Sequence, residues 1–96
     1  MFIINLTYKA PLKKIDQFLE AHIQFLNKQY TDGFFLTSGR KEPRNGGIIL
    51  CKAKNKDNVE QIIKLDPFKI NNLADYEVIE FTPTKTNEKL KFLIEH

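Results

Sequence analysis

The sequence predicts an α+β fold in which a four-stranded antiparallel sheet carries two helices on one face. Three observations point there. Short apolar runs alternate with period two, two longer segments carry the three-and-four spacing of amphipathic helices, and the order is strand, helix, strand, strand, helix, strand. The strands are also apolar on both sides, more than two helices could cover.

Phe2–Tyr8 is the first strand, with Phe2, Ile4, Leu6 and Tyr8 on one side and Ile3, Asn5 and Thr7 on the other. Pro11 suits the first turn of a helix running to Tyr30, because a proline there forfeits no hydrogen bond. Its inner stripe reads Leu12, Ile15, Leu19, His22, Leu26, widened by Phe18 and Phe25. Thr31-Asp32-Gly33 is turn chemistry. Strands follow at Phe34–Gly39 and Gly47–Ala53, joined by a hairpin loop over Arg40–Gly46 that contains Pro43, Asn45 and Gly46. Asn55–Asn58 offers caps for a second helix from Val59 to about Asp66, where Pro67 ends it. A turn or helical stub over Lys69–Asp75 leads to the fourth strand, Tyr76–Phe81.

This order is the ferredoxin-like split βαβ arrangement. The consecutive apolar residues Phe34-Phe35-Leu36, Ile48-Ile49-Leu50-Cys51 and Val78-Ile79 leave a second sheet face to be covered. A second copy of the sheet would cover it, so the expected assembly is a homodimer joined sheet to sheet. The tail Thr84–His96, with Leu90, Phe92, Leu93 and Ile94, is too apolar to lie wholly in water. It is expected to form a short helix on the body or on the partner subunit.

Ninety-six residues make one domain, 1–96, and no apolar run is long enough to span a membrane. A single cysteine fits a reducing, cytoplasmic setting, and Cys51 lies in an apolar strand as packing. The net charge of +3 is modest and the lysines are dispersed, which argues against nucleic acid as partner. RNA binding, open to this topology, also lacks the stacking aromatics in Gly47–Ala53. With only His22, His96 and Cys51 as soft ligands, no metal cluster at a diagnostic spacing exists, and no cofactor is called for.

Two polar residues break the apolar pattern. His22 falls inside the buried stripe of its helix, and Asp66 follows Val59, Ile62 and Ile63 in register. An imidazole and a carboxylate on the inner faces of their helices could pair in a pocket. A neutral imidazole takes a proton near pH 7, while a carboxylate on its other nitrogen fixes the tautomer and stabilises the imidazolium. The plain alternatives are a core histidine satisfied by backbone and an aspartate that caps the turn Pro67–Ile70. Arg40 and Arg44 would steer an anionic substrate or simply decorate a solvated hairpin tip. Tyr8 and Tyr76 would line the pocket or fill the core, Phe68 would pack beneath the loop, and the Ser38 hydroxyl could bind substrate. Ser38 lacks the Gly-x-Ser-x-Gly elbow of a serine hydrolase.

The helix with His22, Ser38-Gly39 closing one strand, Gly46-Gly47 opening the next, Asp66-Pro67-Phe68, and Tyr76-Glu77-Val78-Ile79-Glu80-Phe81-Thr82-Pro83 together resemble the YciI-like family. The resemblance spans residues 2 to about 83 and leaves the tail 84–96 outside. It implies a single YciI-like domain in a dimeric α+β barrel with a His–Asp site, whose roles fall on His22 and Asp66. Gly39-Arg40 stands where the family often has Gly-Pro, a departure in the loop beside Ser38. The implied function is a small enzyme using the pair for acid–base proton transfer, in isomerisation, elimination or a related reaction. Its substrate would be a small carbonyl or phenolic compound, anionic or neutral. A non-catalytic metabolite-binding or interaction module on the same barrel is the alternative, because this fold hosts many unrelated activities.

Overall fold

The computed structural model describes residues 1–94. Its elements are β1 (Phe2–Tyr8), α1 (Leu12–Gln17), α2 (Leu19–Thr31), β2 (Phe35–Arg40), β3 (Gly46–Cys51), α3 (Lys56–Ile63), α4 (Pro67–Ile70) and β4 (Ala74–Glu80), followed by a 3₁₀ segment, Glu88–Leu93. The strands form one sheet in the order β2-β3-β1-β4, every neighbouring pair antiparallel, which is the ferredoxin-like arrangement. Phe2, Ile4, Leu6, Phe35, Ile49 and Cys51 share a core with Ile15 and Phe25 of the first helical pair and Val59, Ile62, Ile63 and Phe68 of the second. The helices therefore cover one face, and each fully buried aliphatic or Phe side chain there contributes roughly 1.5–3 kcal/mol.

The helix expected from Pro11 to Tyr30 is broken at Phe18, whose φ of −109° and ψ of 3° leave the helical region. The break turns α2 so that its buried line is His22, Phe25 and Gln29, while Leu12 is exposed. Asn55 caps α3, its side chain accepting from the Asn58 amide at 2.8 Å. Asp66 lies beyond α3, in extended geometry (φ −72°, ψ 123°), and caps α4 by accepting from the Phe68 amide at 3.0 Å. The proline that follows enforces that geometry.

Two local features of the sheet shape the site. Gly46 starts β3 tight against β1, where a Cβ would stand 1.9 Å from the Leu6 carbonyl oxygen, so no side chain fits. In β2 a bulge between Phe35 and Thr37 breaks the alternation. Phe35 pairs with Cys51 and Ser38 with Ile49, both partners on the helix-covered face, so Ser38 and Arg40 turn inward where unbroken alternation would send them outward.

The opposite face carries Ile3, Asn5, Thr37, Ile48, Leu50, Glu77 and Ile79. Asn5 donates to Glu77 Oε1 at 3.2 Å, and its own Oδ1 is sealed from solvent without a partner among the described residues. Of the tail, Leu90, Phe92 and Ile94 are exposed, and residues 95 and 96, including His96, lie outside the described part. Among the described residues no helix is long and apolar enough to cross a membrane.

Candidate active site

His22 Nδ1 and Asp66 Oδ1 stand 2.8 Å apart although 44 positions separate them in sequence. The chain reaches this contact by placing His22 on the inner line of α2 and Asp66 at the start of α4. The imidazole is stacked on Phe68, with centroids 4.1 Å apart and planes 7° from parallel, and Phe25 lies tilted on it at 6.0 Å. Phe68, only 1 % exposed, is thus a clamp on the imidazole, and Tyr8 meets it edge-on at 5.9 Å.

Asp66 is 0 % exposed, yet three donors reach its carboxylate. Oδ1 receives His22 Nδ1 and the Phe68 amide, and Oδ2 receives the Tyr76 hydroxyl at 2.6 Å. Capping α4 and binding His22 are therefore compatible, because one oxygen serves both. Burial first, and then the neighbouring Asp66 charge and hydrogen bond, push the Tyr76 hydroxyl far above the ordinary phenol range, so it stays a donor. A carboxylate only accepts, so Nδ1 of His22 carries a proton, and in the neutral imidazole the lone pair falls on Nε2.

The other side of His22 opens on a cavity of about 180 Å³ between α2 and the sheet. Leu6, Leu19, Ile23, Leu26 and Ile49 form most of its apolar wall. Leu19 and Leu26 are half-buried because they border this space, even though they belong to the expected inner stripe. Nε2 has no hydrogen-bond partner and is not sealed among the described residues; the remaining 9 % exposure of His22 and its place in the wall direct it to the cavity.

Ser38, Arg40, Tyr8 and Phe68 also border the cavity, whereas Asp66 sits behind His22 and does not. The Ser38 hydroxyl is 2.6 Å from the Tyr30 hydroxyl, a contact the sequence did not suggest. Arg40 is exposed at the mouth and donates to Glu42 at 3.2 Å. Arg44 points elsewhere, onto Asp16 at 2.5 Å, which ties the hairpin loop to α1 and removes it from the group facing the cavity. Tyr76 reaches the site through Asp66. Its position, ten residues beyond Asp66 on the next strand, is the only sequence signal that could have suggested this. Among the described residues no three His, Cys, Asp or Glu side chains gather as metal ligands.

These features define a ferredoxin-like α+β domain with a buried His–Asp pair beside a small apolar cavity. The family profile of the YCII-related domain matches residues 1–82, and the chain belongs to that family. No curated protein matches it. Among solved structures it is similar to 5-chloro-2-hydroxyhydroquinone dehydrochlorinase (TftG) from Burkholderia phenoliruptrix AC1100, solved in complex with 2,5-dihydroxybenzoquinone. The TM-score is 0.71 at 17 % identity, covering 84 % of this chain and 93 % of that one. At that identity the likeness establishes the shared fold.

Proposed function

We propose that this protein is a small enzyme in which His22 moves a proton to and from a substrate in the cavity and Asp66 orients it. The observation that carries this is the division of labour on one imidazole: Nδ1 is bound to a buried carboxylate, and Nε2 is free toward an apolar space. A base so placed suits isomerisation, elimination or a related reaction of a small carbonyl or phenolic compound. Ser38 and Tyr8 would hold substrate oxygens, Arg40 would draw an anionic substrate to the mouth, and Phe68 would keep the imidazole plane in place.

The dehydrochlorinase with the same fold supports elimination. Loss of HCl from a chlorinated hydroxyhydroquinone takes protons from ring hydroxyls, returns one to the ring carbon and releases chloride, leaving a quinone. A single acid–base group can serve each transfer. The functional unit is proposed to be a homodimer joined through the open sheet face, since Ile48 and Ile79 are 41 and 45 % exposed there. The tail would then pack its Leu90 and Phe92 on the partner subunit.

His22→Asn is the direct test, with 5-chloro-2-hydroxyhydroquinone and a panel of small carbonyl compounds as substrates. Turnover is expected to fall about 10²–10⁴-fold while the fold is retained. Equal turnover in the wild type and the variant would overturn the reading. Ligand binding without turnover in either would point instead to a metabolite-binding module.

A further inference from the structure

We propose that Tyr76 is a positioning residue: its hydroxyl, by holding Asp66 Oδ2, sets which nitrogen of His22 carries the proton. The inference rests on the proposed role of His22 and adds a third member to the pair.

The donors on Asp66 come from three elements: His22 from α2, the Phe68 amide from α4, and Tyr76 from β4. Among the described residues only Tyr76 hydrogen-bonds Oδ2, and the carboxylate is wholly buried, so no solvent substitutes for it. Removing that hydroxyl would leave a buried acceptor unpaired, which is costly. The carboxylate relieves this by taking up a proton. As a neutral carboxyl group Asp66 can donate to Nδ1, and the imidazole proton then moves to Nε2. An Nε2–H group facing the cavity cannot accept a proton from a substrate. The Tyr76 hydroxyl blocks this outcome by keeping Asp66 an acceptor at both oxygens.

The ring of Tyr76 is held independently of its hydroxyl. It is half-buried against the core, and Lys69 Nζ lies 5.6 Å from its centroid. Tyr76→Phe keeps that packing and deletes only the oxygen, so the variant is expected to fold.

The test is ¹⁵N NMR of the His22 ring in the ligand-free protein, at about pH 8.5, where an ordinary histidine is neutral. Wild type should show a protonated Nδ1 and a bare Nε2. Asp66→Asn should reverse the pattern, because an amide can donate to Nδ1, and it calibrates the opposite limit. Tyr76→Phe is expected to raise the Nε2–H population about tenfold, the scale of one hydrogen bond to a charged group. Val78→Ala, on the same strand and the same face, is the control for loosened packing and should leave the tautomer unchanged. Wild-type ring signals in folded Tyr76→Phe would overturn the proposal, and so would an equal shift in Val78→Ala. The readout needs no substrate, so its failure is distinct from that of the catalytic reading, which stands or falls with His22→Asn turnover.

Discussion

On the helix-covered face of the sheet Phe2, Ile4 and Ile49 are 1, 1 and 4 % exposed, whereas on the opposite face Ile48 and Ile79 are 41 and 45 % exposed. The two sets meet on β3, where Ile48 and Ile49 differ by one residue and by the side of the pleat. The difference shows that an apolar strand does not say what covers it. The covered face is closed by α1 to α4 and can shelter a carboxylate with three donors. Among the described residues the open face carries separate polar contacts and no buried carboxylate: Asn5 donates to Glu77, Lys41 donates to Thr7, and Asn5 Oδ1 is without a partner.

The contrast can be broken most severely at Asp66. Asp66→Ala removes the acceptor of His22, Phe68 and Tyr76 at once, in a place water does not reach. Loss of about 3–5 kcal/mol is expected, and thermal melting should fall by at least about 12 °C. A shift of only a few degrees would show that the buried network is not a structural element.

The open face should respond differently. Replacing Ile48 and Ile79 together by Lys is expected to change the stability of one copy by no more than about 0.5 kcal/mol per site. The same change should halve the mass seen by light scattering, since desolvating two lysines opposes sheet-to-sheet association. Wild-type protein that is already a monomer at micromolar concentration would remove the partner from the comparison.

The smallest effect is expected at Cys51, fully buried on the covered face. Burial pushes its thiol up to about 11, so at pH 8 almost none is thiolate. A disulfide reagent at pH 8 should leave the folded protein unlabelled and react only on unfolding. Prompt labelling would mean that the covered face opens readily.

Much of this contrast can be read along the chain, and particular residues show where the reading stops. Alternation in Phe2–Tyr8 assigns Phe2, Ile4 and Leu6 to one face, and all three are buried. His22 and Asp66 stand out as polar residues in apolar register, and they meet. The same reading makes one helix of Pro11–Tyr30, because periodicity does not report a single non-helical residue such as Phe18. It also treats Arg40 and Arg44 alike, although Asp16, far away in sequence, takes only Arg44.

What the sequence determined by itself is therefore everything that depends on spacing and local chemistry: four strands, the amphipathic helical segments, the stop imposed by Pro67 and two polar residues in buried positions. These follow from the period of the backbone and from the restricted geometry of proline. Only the tertiary structure decided the inward turn of Ser38 and Arg40, the third bond from Tyr76 to Asp66, and the cavity beside Leu19 and Leu26. Each of these depends on contacts between residues distant in sequence. A bulge shifts the facing of every later residue in its strand, and a buried acceptor takes whichever donor packing brings within reach.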